Sequence, residues 1–161
     1  MSLSIKNNKK VKNARSNDYE GIRFKSLLER YCYIKAKEMG YNIKYEPYTF
    51  TLMPGFKVSN SKIITPVKDN NKYKLKLLRN KIRAITYSPD FMIKQDDTLY
   101  IIETKGRAND VYPLKKKILF RLLEEIIKVT KMNIVFMEPH NQSQVNQCLN
   151  YIKDGNNSEI N

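Results

Sequence analysis

Two short apolar runs, residues 85–93 and 99–104, constrain the fold of this chain more than any other feature. Both runs are rich in β-branched residues, which favour strands, and the acidic pair Asp96-Asp97 between them is typical of a turn. The sequence therefore predicts two adjacent strands of one sheet. Because Ile101 and Ile102 are consecutive apolar residues, we expect the second strand to be buried.

Charged side chains lie on these two predicted strands. Asp90 follows Pro89 on the first run, and Glu103 and Lys105 end the second. Side chains alternate faces along a strand, so Glu103 and Lys105 point the same way, about 6–7 Å apart. Mg²⁺ is usually held by one or two carboxylates with waters, a role that Asp90 and Glu103 fit. Lys105 would orient an attacking water and offset charge on phosphorus, which predicts metal-assisted phosphodiester hydrolysis.

The same residues also have an ordinary structural interpretation. A Glu-x-Lys sequence on a strand usually forms an exposed cross-strand ion pair, and Pro-Asp often only marks a turn. The apolar character of the second strand favours the catalytic interpretation, because buried acids and lysines are rare unless they are paired or bound to metal.

The formal net charge of +14 is concentrated in two segments. Residues 1–17 hold five basic and no acidic side chains, and residues 57–83 hold nine basic side chains against Asp69 alone. Localised basic surfaces bind polyanions through phosphate contacts and counterion release, so nucleic acid is the expected partner. Residues 1–17 are also typical of a solvated, flexible arm. An anionic membrane surface is less favoured, because neither segment is strongly amphipathic.

The basic segment at residues 57–83 interrupts the predicted core between two strands. Its alternation of lysines with Tyr73, Leu75 and Leu77 indicates a projecting β-hairpin, which would reach along a duplex or pack on a partner subunit. The nucleic-acid contacts that we expect in this insertion are Lys72, Lys74, Lys76 and Arg79.

Length and composition predict one globular domain at residues 18–154, followed by a flexible tail at residues 155–161. The chain has no apolar span long enough to cross a bilayer and no apolar segment of signal-peptide type. Cys32 and Cys148 lack metal-ligand spacing, so reduced thiols in a cytoplasm are expected. The single histidine, His140, is predicted to be a loop residue.

An apolar stripe from Phe24 to Ile34 predicts a first helix that stops at Gly40. Ser26 and Glu29 have the spacing of a capping box, in which the two side chains satisfy free amides at a helix start. Glu29 is therefore a candidate for a helix cap as well as for a site residue. Glu20 is a weaker alternative acid, because it precedes the apolar stripe.

A second helix is predicted after the Glu-x-Lys strand, with Asn109 or Asp110 as its cap and Pro113 in its first turn. Apolar patterns predict further strands at residues 48–53 and 133–137, and a final helix at residues 142–152.

In their order along the chain, these motifs resemble the PD-(D/E)xK nuclease superfamily, and within it the phage endonuclease I family of Holliday junction resolvase-like proteins. The resemblance covers about residues 22–137. It rests on Asp90 after Pro89, on Glu103-x-Lys105, and on the motifs Phe24-Lys-Ser-Leu-Leu-Glu29, Tyr45-Glu46-Pro47, Tyr87-Ser-Pro-Asp90-Phe91 and Tyr112-Pro-Leu-Lys115.

The resemblance implies an α/β, restriction-endonuclease-like core, ordered helix, three strands, helix, strand, around a mixed central sheet. It implies that Asp90, Glu103 and the main-chain carbonyl of Thr104 bind Mg²⁺, for which Mn²⁺ would substitute. Glu29 would help at a second metal, and Lys105 would act on the water. Lys115 is the phosphate contact that the family pattern favours, and Lys116 and Arg107 are further candidates.

The predicted function is a metal-dependent DNA endonuclease that leaves 5′-phosphates and acts on branched DNA. Cutting both arms of a junction needs two active sites, which a twofold-symmetric homodimer provides. One alternative is a nuclease subunit that cuts transposon ends, although the acidic Glu103 favours the junction-cutting group. The other is a non-catalytic basic nucleic-acid-binding protein whose acids are structural.

Overall fold

The computed structural model describes residues 17–59, 62–77, 81–106 and 111–155. Three helices lie within these residues: α1 (Leu27–Glu38), α2 (Tyr112–Thr130) and α3 (Gln142–Lys153). The described strands are β1 (Asp18–Tyr19), β2 (Ile22–Arg23), β3 (Ile43–Tyr45), β4 (Phe50–Met53), β5 (Phe56–Lys57), β6 (Ile64–Asp69), β7 (Lys72–Leu77), β8 (Lys81–Ile82), β9 (Ile85–Tyr87), β10 (Phe91–Gln95), β11 (Thr98–Ile102) and β12 (Asn133–Met137). None of the described helices is long and apolar enough to cross a membrane.

A four-stranded mixed sheet forms the centre of the molecule, with the strand order β12-β11-β10-β3. Strands β3, β10 and β11 pair antiparallel, whereas β12 returns parallel to β11 after helix α2. The predicted mixed α/β class is therefore confirmed. The two central strands are the predicted adjacent pair, and Asp96 and Asp97 form the turn between them.

Apolar side chains cover both faces of this sheet because residues along β10 and β11 alternate in direction. On one face Phe91, Ile93, Tyr100 and Ile102 pack with residues of α1 and α3. On the other face Ile101 packs with α2 residues and with the β4–β9 pair. The sheet is thus a middle layer between helices, which explains why consecutive residues of β11 are fully buried.

The predicted strand at residues 85–93 is in fact two strands. Strand β9 pairs with β4, while β10 pairs with β11 and β3. Pro89 lies in the break between them, and proline has no N–H to donate to a strand ladder. Asp90 consequently occupies the break and not the interior of a strand.

The strand predicted at residues 48–53 is present as β4, but its predicted place in the core sheet was wrong, because β4 lies outside the four-stranded sheet. The edge strand of that sheet is β3, whose three residues are too few to show a period. The predicted cap of α2 also differs. The N-cap of α2 is Val111, which provides no side-chain cap. Asn109 and Asp110 lie outside the described residues, and Pro113 is in the first turn as predicted.

Helix α1 begins and ends as its sequence predicts. The Ser26 hydroxyl accepts a hydrogen bond from the Glu29 amide at 3.1 Å. At the other end Gly40 has a φ of +84°, and the amides of Gly40 and Tyr41 donate to the carbonyls of Lys37 and Ala36. These paired bonds form a Schellman motif, which needs a left-handed residue after the helix.

We expect Gly40→Ala to lower the free energy of unfolding by about 1 kcal/mol, because a Cβ is disfavoured in the left-handed region. Equilibrium denaturation in urea measures this change. Gly106→Ala is the matched control, since Gly106 has an ordinary backbone and nothing within 4 Å of an added Cβ. Equal effects of the two substitutions would contradict the interpretation of Gly40.

Candidate active site

Asp90 and Glu103 meet where β10 begins and β11 ends. Phe91 pairs with Ile102, so the two acids lie opposite each other just beyond the paired strands. The Asp90 amide donates to Glu103 Oε2 at 3.3 Å. Thr104 donates to Asp90 Oδ2 twice, from its amide at 2.8 Å and its hydroxyl at 2.7 Å. The predicted proximity of the two carboxylates is therefore confirmed.

This pair of carboxylates is electrostatically unfavourable. Glu103 is only 4% exposed, and Asp90 is half-buried. Burial and, next, the negative charge of Glu103 raise the pKa of Asp90 to about 7, against the opposing hydrogen bonds from Thr104. Glu29 adds a smaller effect in the same direction as Glu103. A proton or a cation at this position would relieve the repulsion.

Lys105 lies beside the pair and points the same way as Glu103, as predicted. Its ammonium nitrogen is 2.5 Å from Glu103 Oε1 and 4.0 Å from the centre of the Tyr112 ring. The side chain is about four-fifths buried, with 20% of its surface exposed. A single lysine thus faces two acids, so the site carries more negative than positive charge when both acids are ionised.

Strand β12 supplies a second row of site residues that the sequence prediction missed. The amides of Glu103 and Lys105 donate to the carbonyls of Met137 and Pro139, both at 2.9 Å. These bonds continue the parallel register beyond β11 and β12, so Glu138 pairs with Glu103 and His140 pairs with Lys105. The available signal was the Glu-x-His sequence directly after an apolar run, which has the same form as Glu-x-Lys after β11.

Glu138 is the centre of a hydrogen-bonded cluster at this edge. Its Oε2 accepts from the Tyr112 hydroxyl at 2.7 Å and from the Lys116 ammonium at 2.8 Å, and its Oε1 lies 3.1 Å from His140 Nε2. Burial would raise the pKa of Glu138, but the hydrogen bonds from Lys116 and Tyr112 outweigh burial and lower it. His140 lies between β12 and α3, as predicted for a loop residue.

Tyr87 contributes a buried hydroxyl whose hydrogen bonding is incomplete. Burial raises its pKa well above the usual range, and the neighbouring charge of Glu103 adds to that effect. No atom in the described part of the chain gives this hydroxyl a hydrogen bond of good geometry. Buried polar atoms without partners are rare in native proteins and often accompany a site for water, an ion or substrate.

Glu29 has a structural role in addition to the predicted one. It is buried at the start of α1, where its Oε2 accepts from the Lys25 amide at 3.0 Å and the Tyr45 hydroxyl at 2.9 Å. The expected capping box is therefore present in altered form, since Glu29 bonds the amide before Ser26. A role at a second metal stays a prediction.

The residues fit a hydrated hard cation but not a fully protein-bound one. Within the described residues no group of three or more histidine, cysteine or acidic side chains is arranged to hold a metal ion. Mg²⁺ needs only one or two carboxylates, because waters and substrate oxygens complete its octahedron. Asp90, Glu103 and the Tyr87 hydroxyl, whose hydrogen bonding is incomplete, are consistent with such a site, and the Thr104 main chain adjoins both acids.

Of the predicted phosphate contacts, Lys116 lies at the site through its bond to Glu138. The Lys115 ammonium instead donates to the carbonyl of Thr86 at 3.0 Å, on strand β9. Arg107 and Arg79 lie outside the described residues.

The predicted hairpin of the basic insertion is confirmed as β6 and β7, which we call the arm (residues 64–77). Its turn is Asn70-Asn71, both in the left-handed region, which is typical of a tight hairpin turn. The pairing register separates two faces. One face carries Lys72, Lys74 and Lys76 with Asp69, whose carboxylate pairs with Lys74 and Lys76. The opposite face carries the apolar residues Ile64, Pro66, Tyr73, Leu75 and Leu77.

A family model described as a protein of unknown function, DUF1064, matches residues 8–135. The chain belongs to the DUF1064 family. No similarity to a curated protein or to a solved structure was found. The region that matches the DUF1064 model includes Asp90, Glu103, Lys105 and Tyr112, whereas Glu138 and His140 follow it.

We expect the metal-free DUF1064 protein to lose stability as the pH rises from about 4 to 7. Asp90 has a raised pKa when folded and an ordinary pKa of about 4 when unfolded, so the folded state holds its proton more tightly. Ionising Asp90 in this range therefore destabilises the fold. Asp90→Asn keeps an oxygen for Thr104 and should be more stable than wild type at pH 8 by roughly 1–3 kcal/mol, but not at pH 4.

Urea denaturation between pH 4 and pH 8 in the presence of a chelator measures this difference. Asp97→Asn, on the exposed turn of the same hairpin, is the matched control and should follow wild type at every pH. A constant difference between wild type and Asp90→Asn across the range would show that the Asp90 carboxylate does not titrate as described.

Proposed function

We propose that this protein is a metal-dependent DNA endonuclease that hydrolyses phosphodiester bonds to leave 5′-phosphates. The observation that supports this proposal is the Asp90–Glu103 pair, buried at the end of the sheet with Lys105 beside it. A buried pair of acids is unfavourable unless something positive binds there, and a perturbed carboxylate next to a lysine is typical of a functional site. A solely structural ion pair needs one acid for each base, whereas this site has an excess acid.

In the proposed reaction Asp90, Glu103 and the Thr104 main-chain carbonyl would hold Mg²⁺, for which Mn²⁺ would substitute. The bound ion would lower the pKa of water and polarise the scissile phosphate. Lys105 orients the attacking water and stabilises negative charge on the phosphate oxygens. Lys116 and Lys115 contact neighbouring phosphates, and Glu29 assists at a second ion. Breaking the bond from phosphorus to the 3′ oxygen leaves the phosphate on the 5′ side.

The order of elements supports a restriction-endonuclease-like core as part of this proposal. Helix α1 precedes the sheet strands β3, β10 and β11, and helix α2 connects them to β12. This is the order that the resemblance to the PD-(D/E)xK superfamily implies. In the proposed core, the catalytic acids lie together at one end of the two central strands.

We expect the wild-type protein to cleave DNA only with Mg²⁺ or Mn²⁺ and to prefer a four-way junction over matched linear and nicked duplexes. Asp90→Asn and Lys105→Ala should lower the cleavage rate by about a hundredfold or more, because each removes charge that acts on the transition state. Denaturing gels of end-labelled strands measure the rates, and ligation with and without prior phosphatase treatment identifies the 5′-phosphate.

The matched controls for this assay are Asp97→Asn and Lys94→Ala, both exposed on the same hairpin and remote from the site. Both should cleave at the wild-type rate. Cleavage that survives in Asp90→Asn, or that needs no divalent ion, would exclude the proposed site.

We also propose that the protein is a homodimer whose arm contacts DNA with one face and a second copy with the other. The lysine face suits phosphates, but the apolar face does not, because large apolar side chains there remain in water: Ile64 is 67%, Tyr73 73% and Leu75 71% exposed. Exposed apolar patches of several hundred Å² mark protein contacts. Face-to-face packing of two identical arms would give the self-complementary contact of a twofold dimer.

Substitutions on one face of the arm at a time test the two proposed contacts separately. Tyr73→Ser/Leu75→Ser should reduce the molecular mass in sedimentation equilibrium from dimer to monomer. Lys72→Gln/Lys74→Gln/Lys76→Gln should retain the mass but bind DNA more weakly, with a salt dependence reduced by up to about three ions. A monomeric wild type would exclude the dimer, and an unchanged salt dependence in the lysine variant would exclude the basic face.

The two alternative functions predict different results in the cleavage and DNA-binding assays. A non-catalytic nucleic-acid-binding protein, whose acids are structural, would bind DNA tightly and never cut it. A transposon-end nuclease subunit would cut only a specific terminal sequence, together with a partner.

We propose a cytoplasmic location for the nuclease, because both cysteines are free thiols, Cys32 on α1 and Cys148 on α3.

A further inference from the structure

The ring of Tyr112 contacts the ammonium group of Lys105. The Lys105 ammonium lies 4.0 Å from the centre of the Tyr112 ring, well within the range of a cation–π interaction. The same ammonium is 2.5 Å from Glu103 Oε1. Lys105 is therefore held from two directions, by a carboxylate and by the face of an aromatic ring.

The orientation of Tyr112 is fixed in turn by Glu138. The Tyr112 hydroxyl donates to Glu138 Oε2 at 2.7 Å, and the Lys116 ammonium donates to the same oxygen at 2.8 Å. Tyr112 is 6% exposed at the start of α2 and packs in the cluster that includes Ile101 and Leu119. Its ring thus has little freedom to turn away from Lys105.

We propose that Tyr112, held by Glu138, is a positioning residue that fixes the Lys105 ammonium at the proposed cleavage site; this inference rests on the proposed nuclease function. A lysine side chain has many rotamers and prefers water, so a partly exposed ammonium beside an acid pair would move between several positions. The ring restricts these positions. The hydrogen bond from its hydroxyl to an anionic carboxylate makes the ring more electron-rich and so strengthens its attraction for the cation.

A purely structural role for Tyr112 predicts different behaviour. In that case the ring would serve only to pack α2 on the sheet, and Lys105 would keep its position without it. Tyr112→Phe preserves the ring and removes only the hydroxyl, whereas Tyr112→Leu removes the ring and preserves apolar packing. Glu138→Gln keeps an acceptor for the hydroxyl but removes the charge that polarises the ring.

The position of Lys105 can be measured by NMR without any cleavage. An ammonium over a ring places the adjacent methylene protons in the ring-current field, so the Lys105 ε-CH₂ protons should resonate upfield of the other lysines. We expect this shift to decrease in both Tyr112→Phe and Glu138→Gln, because each weakens the hold of Glu138 on the ring, and to disappear in Tyr112→Leu. Lys105→Arg assigns the signal. An upfield shift that persists in Tyr112→Leu, or that is absent from wild type, would overturn the proposal.

Cleavage kinetics test whether this position matters for the reaction. Tyr112→Leu should lower kcat about ten- to thirtyfold with KM changed less than about twofold, because a desolvated cation–π contact is worth about that much. The double variant Lys105→Ala/Tyr112→Leu should cleave at the rate of Lys105→Ala, since Tyr112 acts only through Lys105. Additive losses would mean that Tyr112 acts elsewhere, and would overturn the proposal.

Tyr41→Phe is the matched control for the loss of a tyrosine hydroxyl. Its hydroxyl donates to the carbonyl of Leu149 at 3.0 Å, on the opposite face of the sheet, so it should change neither the Lys105 signal nor kcat. The two measurements also separate this inference from the proposed function. A wild-type protein that cuts no DNA would contradict the nuclease proposal, whereas the NMR signal would still decide whether Tyr112 fixes Lys105.

Discussion

The two hydrogen bonds from Thr104 to the Asp90 carboxylate connect the parts of the molecule on which the site depends. Asp90 lies in a break where one strand ladder stops and another starts, because Pro89 cannot continue it. Such a break would ordinarily be loose. Thr104, the second residue after the central strand β11, holds the break in place, because its amide and its hydroxyl both donate to one oxygen of the Asp90 carboxylate. The break and the strand end are thereby held in register.

The position of the Asp90 carboxylate lowers the stability of the fold when that group is ionised. The carboxylate that joins the two segments is also the one whose pKa burial and Glu103 raise to about 7. A core made for stability alone would contain an amide or an apolar residue at this position, as buried charges without partners are costly. Two acids, one lysine and a buried tyrosine hydroxyl with incomplete hydrogen bonding lie together at one end of the sheet, so unfavourable electrostatic interactions are concentrated in a small region. Concentration of this kind is characteristic of sites that bind or transform a charged ligand.

The basic side chains of the arm are exposed, in contrast to the largely buried acids at the end of the sheet. On the arm, the pairing of β6 with β7 places Lys72, Lys74 and Lys76 on one face and most of the large apolar residues on the other, where Lys68 is the one lysine opposite Tyr73. Its side chains stay exposed because two strands alone cannot bury a face. The arm is therefore an element whose lysines and large apolar side chains both remain exposed.

Local sequence patterns were sufficient for the elements whose signals are local. The turn at Asp96-Asp97, the ends of α1, the hairpin in the basic insertion and the neighbouring positions of Asp90 and Glu103 all follow from short-range spacing of residues. Such signals depend on backbone geometry and side-chain alternation, which a few adjacent residues determine. The edge strand β3 and the capping of α2 were missed because a three-residue strand has no measurable period and a cap can lack a side-chain bond.

Only the tertiary structure decided which side chains surround Lys105. Tyr112 and Glu138 are separated from Lys105 by 7 and 33 positions in the chain, and no local pattern relates them. The parallel pairing of β12 with β11 brings Glu138 beside Glu103, and α2 turns the Tyr112 ring onto the lysine. Parallel pairing is non-local by nature, because a helix must cross between the two strands. The sequence therefore determined the acids and the lysine, whereas the fold determined the ring and the carboxylate that hold that lysine.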